Sequence, residues 1–388
     1  MFKPSQAPAI DDLRDLYKKR VPKMFYDYCE TGSYTQQTFV ENIEAFKKHY
    51  LRQRVAVNID NRTTASTILG EKVSMPVALG PVGSGGMNYA DGEILACRAA
   101  QKFGVPYTLS TMSVCSIEEV AAHVEKPFWF QLYVMRDREF VHKLIARAKA
   151  AKCSALVLTL DLQVLAQRHK DVKNGLSTPP KVTFKNMLNI ATKPAWALGM
   201  LGTKNRKFGN IHGHVKDVKD MADLASWTHR QFDPSLDWSS VDFIRKQWDG
   251  ALILKGINDV EDAKIAAKKG ADAIIVSNHG GRQLDGCSPA IDMLGPVVDA
   301  VGKKTEVWMD SGIRTGMDVM KALALGAKAT MIGRAYIYGL GAGGEAGVSH
   351  ALDIIQRELS TTMGLCGERT IDGIGRHNLL HHGAAKPR

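Results

Sequence analysis

The sequence predicts a (β/α)8 barrel, an α/β fold in which eight parallel strands alternate with helices. Eight short apolar runs recur along the 388 residues, and six of the seven gaps between their centres are about 20 to 35 residues long. Helical patterns of apolar residues lie between most of these runs. Because the runs are apolar on both faces, they fit parallel strands buried between a barrel interior and surrounding helices.

Each predicted strand leads into a polar or glycine-containing turn. An open doubly wound sheet gives the same alternation, but GSGGMNY (83–89) after the first strand is too irregular for a dinucleotide-binding fingerprint. The barrel is therefore favoured, with covering helices formed by the N-terminal part of the chain and a long insertion after the fourth strand. The predicted strands cover residues 76–80, 105–110, 128–133, 155–161, 251–256, 273–278, 306–312 and 329–334. The predicted helices end in Gly, Lys or a Lys-rich turn, which are common helix stops, and cover residues 92–104, 116–126, 138–152, 259–270 and 315–327.

Composition is typical of a globular enzyme. Hydrophobic residues make up 45% of the chain and charged residues 23%, which excludes a largely disordered or collagen-like protein. No apolar run reaches the roughly 18 residues that a membrane-spanning helix needs, and the N-terminus lacks the pattern of a secretory signal. The six cysteines form no C-x-x-C pair, so neither a disulfide framework nor a metal site is predicted. These features predict a cytoplasmic protein.

A long basic insertion interrupts the barrel pattern after the fourth strand. We expect one domain over residues 1–388, with a barrel core at about 76–340 and the insertion at about 170–240. The net charge is +11, and residues 177–216 carry seven basic side chains, no acidic ones and many apolar ones. A segment that is both cationic and apolar is typical of docking on an anionic membrane surface. A solvated loop is the alternative, and the lack of a nucleic-acid-binding module argues against nucleic acid as a partner.

Polar residues follow the predicted strands at their carboxyl ends, where barrels of this kind carry their active sites. Buried polar groups cost free energy unless they are hydrogen-bonded, so a ring of them implies a polar ligand. The ring consists of Ser110, Gln131, Tyr133, Thr159, Asp161, Lys255, Ser277, His279, Asp310 and Arg334.

Two stretches at the same end of the barrel predict a phosphate site. SGIRTG (311–316) follows the seventh strand and opens a helix, and Gly333 and Arg334 follow the eighth strand. Glycines let backbone N–H groups approach an anion, and a helix N-terminus favours negative charge. Arg314 and Arg334 can each donate two hydrogen bonds to phosphate oxygens.

The sixth strand leads into SNHGGRQLDG (277–286), which brings an imidazole and a guanidinium together on one tight loop. His279 can accept a proton, and Arg282 can bind a carboxylate through two hydrogen bonds. Asp161, at the end of the fourth strand, can fix the tautomer of the imidazole and stabilise its protonated form. The sequence therefore predicts a base beside a carboxylate-binding group.

SNHGGRQLDG (277–286) resembles the active-site signature of the FMN-dependent L-2-hydroxy acid oxidase and dehydrogenase family. DSGIRTGMDVMKALALGA (310–327) and IGR (332–334) are similar to the flavin phosphate motifs of that family, and the similarity covers about residues 10–370. Within the family, MPVALGPVGSGGM, LSTMSVCSIEEVA and WFQLYVMRDR are most similar to the bacterial respiratory L-lactate dehydrogenases. One departure is DLQ (161–163), where many relatives have proline at the third position.

The resemblance implies FMN as the cofactor and a role for each matching residue. It makes His279 the base and Asp161 its partner, and it places Tyr133 near the substrate hydroxyl. The substrate-binding residues that it implies are Tyr26, Tyr133, Arg168, His279 and Arg282. The flavin-binding residues that it implies are Pro81, Val82, Gly83, Ser110, Gln131, Thr159, Lys255, Ser277, Asp310, Gly312, Arg314, Gly333 and Arg334.

The implied function is oxidation of L-lactate, or a related L-2-hydroxy acid, to the 2-keto acid, with FMN as the electron carrier and a membrane quinone as the acceptor. Docking of the basic insertion on the inner face of the cell membrane favours that acceptor. The alternative is a soluble oxidase of lactate or glycolate that passes electrons to oxygen and produces hydrogen peroxide. The set of His279, Asp161, Arg168 and Arg282 argues against a flavin-binding protein without turnover. The resemblance also suggests a homotetramer.

Overall fold

Eight parallel strands form one closed sheet in the computed structural model, which describes residues 3–176, 183–214, 227 and 230–380. The strands are β1 (Val77–Leu79), β2 (Thr108–Ser110), β3 (Trp129–Tyr133), β4 (Ala155–Thr159), β5 (Ala251–Ile257), β6 (Ala273–Val276), β7 (Glu306–Met309) and β8 (Ala329–Ile332). Each strand from β2 to β7 pairs with the next, β8 pairs with β1, and a single bridge from Leu79 to Tyr107 joins β1 to β2. The predicted (β/α)8 barrel is confirmed.

Several strands end before the polar residues that follow them in sequence. β4 ends at Thr159 rather than at Asp161, and β7 ends before Ser311 and Gly312. The chain turns out of the sheet after β7 because these two residues adopt left-handed φ angles of +71° and +101°. The carboxyl ends nevertheless stay in register, with Thr159 opposite Lys255 on the neighbouring strand. The polar residues are therefore brought to one end of the barrel.

Helices pack on the outside of the sheet and cover its ends. Side chains that accept backbone N–H groups cap several of them, such as Ser116, Asp137, Asp259 and Thr315. The helices are α1 (Ile10–Arg20), α2 (Lys23–Cys29), α3 (Gln37–Glu44), α4 (Gly85–Asn88), α5 (Gly92–Phe103), α6 (Ile117–Ala122), α7 (Arg138–Ala150), α8 (His169–Lys173), α9 (Phe184–Ala191), α10 (Pro194–Gly202), α11 (Trp238–Arg245), α12 (Val260–Lys268), α13 (Ala290–Val301), α14 (Gly316–Ala324) and α15 (Arg334–Leu365), which bends at Gly343 and Gly344.

The amino end of the barrel is filled by apolar side chains. Trp129 and Trp308 stack with ring centroids 5.5 Å apart. A hairpin of two short strands, Ser66–Ile68 and Glu71–Val73, packs Ile68 and Val73 against the same cluster. Because this end is closed by apolar packing, the polar residues gather at the opposite, carboxyl end.

The insertion between β4 and β5 lies beside the N-terminal helices. The amide N–H of Lys23 on α2 donates to Asn189 Oδ1 on α9 at 2.7 Å, and Lys170 Nζ donates to the carbonyl of Glu30 at 2.7 Å. The insertion is thus held against α2, which borders the carboxyl end of the barrel. Among the described residues, no helix combines the length and the hydropathy needed to span a bilayer.

Candidate active site

His279 lies on a tight turn that follows β6. His279, Gly280 and Gly281 all adopt left-handed φ angles, of +58°, +66° and +71°. A Cβ atom at Gly281 would lie 2.4 Å from the backbone nitrogen of Phe39, so no side chain fits there. A left-handed histidine costs roughly 1–3 kcal/mol, and such strain concentrates at functional sites. Here the turn places the imidazole in the wall of a cavity of about 360 Å³ at the carboxyl end of the barrel.

Asp161 is hydrogen-bonded to the imidazole of His279. His279 Nδ1 and Asp161 Oδ1 are 2.8 Å apart, as the sequence predicts. Burial raises the pKa of the Asp161 carboxyl, but His279 and Lys255 outweigh this effect and hold the pKa below its ordinary value. The carboxyl is therefore ionised at neutral pH. Glycine is needed at position 256, since a Cβ atom there would lie 2.7 Å from the Asp161 side chain.

Two guanidinium groups lie against one tyrosine ring in this cavity. The Cζ atoms of Arg168 and Arg282 are 5.4 Å and 4.8 Å from the centroid of the Tyr28 ring. Asp171 accepts from Arg168 Nε at 2.6 Å, and the carbonyl of Tyr28 accepts from Arg282 Nη1 at 2.6 Å. Burial lowers the pKa of Arg282, and the charge of Arg168 lowers it further. Two neighbouring, partly buried cations favour a bound anion, and a carboxylate matches their hydrogen-bond geometry.

Tyr28, rather than the predicted Tyr26, is the α2 tyrosine that lines the cavity. Tyr26 is buried on another side of the helix, where its ring packs on Tyr17 with centroids 5.1 Å apart. Two positions along an α-helix differ by about 200°, so both tyrosines cannot face the same side. The α2 sequence has a tyrosine at position 26 and another at position 28. Only the packing of Tyr26 against Tyr17 shows which of the two faces away from the cavity.

Tyr133 lies at the end of β3 and lines the cavity, as predicted. Burial raises the pKa of its hydroxyl, and the charge of Asp161 raises it further. The hydroxyl therefore stays protonated at neutral pH and can donate a hydrogen bond to a substrate oxygen.

Lys255 is a buried cation at the end of β5. Its Nζ atom is 2.9 Å from Asp310 Oδ2 and donates to Ser277 Oγ at 2.9 Å. Burial lowers the pKa of Lys255, but the carboxylates of Asp310 and Asp161 outweigh this effect and raise it above the ordinary value. The ammonium group is therefore charged and held in one position.

Buried polar atoms near these groups lack a protein partner. Gln131 Nε2 and Thr159 Oγ1 make no hydrogen bond within the described residues, although both side chains are almost inaccessible. The other end of the Gln131 amide is used, since Oε1 accepts from Ser110 Oγ at 3.1 Å. Because unpaired buried polar groups are rare and costly, these two atoms indicate a polar ligand.

The two arginines of the predicted phosphate site differ in the number of hydrogen bonds that they donate to the protein. Arg314 donates one bond to the carbonyl of Ile313, and a Cβ atom at Gly333 would meet nothing closer than 3.6 Å. Arg334, in contrast, donates through Nε, Nη1 and Nη2 to the carbonyls of Cys29, Gly280 and Thr31. Burial, Arg314 and Arg282 lower the pKa of Arg334 to about 10. Arg334 therefore ties the His279 turn to the N-terminal segment, and at most two of its five N–H groups remain for a ligand.

The structure brings most of the predicted site residues to this one cavity. Asp161, Ser277, Ser110, Gln131 and Thr159 lie at the same end of the barrel in contact with or next to the lining residues, and Tyr26 lies apart. The predicted residues that line the cavity are Pro81, Val82, Gly83, Tyr133, Arg168, Lys255, His279, Arg282, Asp310, Gly312, Arg314, Gly333 and Arg334.

Comparison with known proteins identifies the family. The family model described as FMN-dependent dehydrogenase matches residues 17–381. An L-lactate dehydrogenase of Haemophilus influenzae is 44% identical over 368 residues, which cover 94% of this chain and 96% of that protein. An L-lactate dehydrogenase of Vibrio parahaemolyticus is 42% identical over 374 residues, 96% of this chain and 98% of that protein. The crystal structure of the monotopic membrane protein (S)-mandelate dehydrogenase superposes with a TM-score of 0.92 at 34% identity, covering 97% of this chain and all of that one.

The residues of the cavity fit FMN. Gln131 and Thr159 offer unpaired polar atoms for the ring and its ribityl chain, and Lys255 offers a fixed positive charge to a flavin that becomes negative on reduction. Arg314 and the N-terminus of α15 at Gly333 offer charge and backbone N–H groups to the phosphate. The predicted family, enzyme class and cofactor are thus confirmed: the chain belongs to the FMN-dependent dehydrogenase family, and FMN is its cofactor.

Proposed function

We propose that the enzyme oxidises L-lactate, or a closely related L-2-hydroxy acid, to the 2-keto acid. The observation that carries this proposal is the pairing of His279 with Asp161 in the same cavity as the adjacent Arg168 and Arg282. A 2-hydroxy acid has the two groups that this set recognises, a carboxylate and a neighbouring hydroxyl. The relatives of highest similarity named above are L-lactate dehydrogenases.

Each side chain has a defined part in the reaction. Arg168 and Arg282 bind the carboxylate and orient the substrate, and Tyr133 donates to the hydroxyl oxygen. His279 takes a proton from the substrate, either from the hydroxyl or from the α-carbon. Asp161 stabilises the imidazolium that results, because its carboxylate is ionised and 2.8 Å away.

FMN, when bound, accepts the two electrons that the substrate loses. The residues that would hold it include Gln131, Thr159 and Arg314, as argued above. Lys255 supplies positive charge that offsets the negative charge of the reduced cofactor, and Asp310 and Ser277 fix its ammonium group in place.

Replacement of Asp161 by asparagine is expected to lower the rate constant of flavin reduction by L-lactate roughly 10²- to 10⁴-fold. The amide removes the negative charge that faces the imidazole and no longer fixes its tautomer. Anaerobic stopped-flow absorbance at saturating L-lactate measures this rate constant. Asp171→Asn is not a suitable control because it contacts Arg168, whereas Asp249→Asn changes an exposed surface carboxylate and should leave the rate within about twofold. An unchanged rate in Asp161→Asn would contradict the assigned role.

The substrate proposal is tested by an anaerobic screen with the FMN-loaded enzyme. L-lactate is expected to bleach the flavin absorbance within milliseconds to seconds, and D-lactate is expected to leave it unchanged over the same time. Other L-2-hydroxy acids of increasing side-chain size rank the preference. Failure of every 2-hydroxy acid to bleach the flavin would refute the proposal.

We also propose that the insertion binds the inner face of the cell membrane and that a membrane quinone is the electron acceptor. The support is a lipid-facing patch, defined here as Phe184, Met187, Leu188, Leu198 and Leu201, each 52–71% exposed on α9 and α10. Lys185, Lys204, Arg206 and Lys207 are exposed on the same segment. Exposed apolar side chains among basic ones are typical of interfacial binding. Residues 177–182 and 215–216 of the predicted docking segment lie outside the described residues.

The double variant Leu198→Asp/Leu201→Asp is expected to weaken binding to vesicles that contain phosphatidylglycerol by at least roughly tenfold. Each substitution removes apolar burial and adds a negative charge near an anionic surface. Vesicle sedimentation at low salt measures the partition coefficient. Val55→Asp, on an equally exposed apolar residue outside the insertion, should change binding only slightly, and flavin reduction by lactate should be normal in all variants. An equal loss of vesicle binding in the double variant and in Val55→Asp would contradict a role for the lipid-facing patch in membrane binding.

A further inference from the structure

The cavity extends beyond the groups assigned to FMN and to the substrate. Six of its other lining residues are apolar and come from four separate parts of the chain, namely α2, α4, the loop after β4, and the insertion. We name this part the apolar vestibule, and it consists of Phe25, Met87, Leu162, Leu165, Leu176 and Phe208.

A small 2-hydroxy acid leaves most of the vestibule unused. The carboxylate is assigned to Arg168 and Arg282 and the hydroxyl to His279 and Tyr133, so the side chain of lactate presents only one methyl group. Partly exposed apolar and aromatic side chains around a cavity are typical of a site for an apolar ligand. The vestibule therefore offers apolar contacts that lactate does not use.

The insertion builds part of the vestibule and holds it firmly. Gly209 N donates to the carbonyl of Val114 at 3.0 Å, and a Cβ atom at Gly209 would lie 2.7 Å from the backbone nitrogen of Ser116. The fully buried Asn210 accepts from Ile117 N at 2.9 Å and donates to Ser113 Oγ at 2.9 Å. These contacts fix the neighbouring Phe208 in the wall of the cavity beside the loop that carries Met112.

The vestibule also adjoins the lipid-facing patch. The indole N–H of Trp196 on α10 donates to the carbonyl of Met87 at 2.8 Å, and its ring lies 5.5 Å from that of Phe25. Leu198 and Leu201 of the same helix are each 69% exposed. One short helix thus supports the wall of the vestibule on one side and presents apolar side chains outward on another.

We propose that the apolar vestibule is the binding site of the electron acceptor and that it takes a quinone ring with the start of its isoprenoid chain. This inference rests on the proposed function and adds a location for its acceptor. The electron balance is closed: the 2-hydroxy acid loses two electrons and two protons and becomes a 2-keto acid, and the quinone gains two electrons and two protons and becomes a quinol. The vestibule lies in the same cavity as the flavin site, so no further carrier is required.

The test compares two acceptors in variants of Phe208. The FMN-loaded enzyme is assayed with L-lactate and one of two electron acceptors. The first is a short-chain ubiquinone in aqueous buffer, and the second is ferricyanide, a hydrophilic anion that does not bind apolar sites. Phe208→Ser is expected to lower kcat/KM for the ubiquinone at least tenfold, mainly through KM, and to leave the ferricyanide rate and flavin reduction by lactate within about twofold. Phe208→Leu, which keeps the wall apolar, should restore most of the ubiquinone activity. Phe243→Ser is the matched control on a partly exposed phenylalanine outside the cavity.

Three outcomes would overturn the inference. An unchanged KM for ubiquinone in Phe208→Ser would place the acceptor elsewhere. Equal loss with both acceptors, or slower flavin reduction by lactate, would mean that Phe208 acts on folding or on the substrate. Wild-type enzyme that is reduced by lactate but never reoxidised by ubiquinone would refute the proposed acceptor itself, and this result is distinguishable because it appears before any variant is made.

Discussion

Replacement of His279 by alanine is expected to lower the rate constant of flavin reduction by L-lactate by roughly 10⁴-fold or more. General bases contribute about 10²- to 10⁴-fold on their own, and this variant also leaves the ionised Asp161 without its partner. The imidazole is the group in the cavity that is placed to take a proton from a substrate held by Arg168 and Arg282. Anaerobic stopped-flow absorbance at saturating lactate gives the rate constant.

FMN content separates loss of chemistry from loss of cofactor in this variant. None of the groups assigned to the FMN phosphate is His279, so the His279→Ala enzyme is expected to purify with its flavin spectrum intact. His123→Ala is the control and should behave as wild type, because the exposed imidazole at the C-terminal cap of α6 bonds to the carbonyl of Glu119 and lies outside the cavity. Near wild-type reduction of the flavin in His279→Ala would refute the assignment of the base.

Arg282→Met is expected to lower kcat/KM for L-lactate roughly 10²- to 10³-fold. Truncation of one partner of a buried charge pair costs about 2–5 kcal/mol, and each 1.4 kcal/mol is a factor of ten. Arg282 is partly buried, and its described hydrogen bonds to protein use Nη1 alone, so the rest of its guanidinium is available to the carboxylate. Steady-state kinetics over a range of lactate concentrations measures the loss.

A neutral substrate distinguishes carboxylate binding from general damage. Lactamide keeps the hydroxyl and the methyl group of lactate but has no negative charge. Wild-type enzyme should strongly prefer lactate to lactamide, and Arg282→Met should reduce that preference by about the same factor as its loss on lactate. Arg282→Lys should retain part of the preference, because it keeps the charge but not the planar fork. An equal loss on both substrates would contradict a role for Arg282 in binding the carboxylate.

The barrel and the centre of the site could be predicted because each depends on local pattern. Parallel strands buried on both faces give short apolar runs, and the polar residue after each run marks the carboxyl end of the barrel. Asp161 and His279 are 118 positions apart in sequence, yet each could be assigned to the end of its own strand. The closure of the barrel then brings them within hydrogen-bond distance.

Details that depend on packing between distant segments could not be predicted. The sequence does not distinguish Tyr26 from Tyr28, since both are tyrosines of the same short helix. Only the packing of Tyr26 on Tyr17 shows that Tyr28 is the one that faces the cavity. Arg334 has the sequence context of a phosphate ligand, but the carbonyls of Cys29 and Thr31 approach it from the N-terminal segment. No signal in the sequence connects these segments.

The position of Phe208 in the cavity wall could not be predicted from the sequence for a different reason. It lies in a basic stretch whose charge and apolar content indicate membrane docking, so its side chain is interpreted as part of that surface. The buried hydrogen bonds of Asn210, two residues later, fold this part of the insertion back onto the barrel. A single buried asparagine in a polar loop gives no sequence signal of such a contact.

We propose one arrangement of substrate and protein: the guanidinium groups of Arg168 and Arg282 bind the carboxylate of a single small acid, and the imidazole of His279 faces its hydroxyl or keto oxygen. A crystal structure of the FMN-loaded enzyme with bound pyruvate tests it directly. We expect the carboxylate oxygens to lie within about 3.2 Å of both Arg168 and Arg282 and the keto oxygen to lie at a similar distance from His279 Nε2. A pyruvate bound by neither arginine, or an imidazole turned away from the keto group, would contradict it.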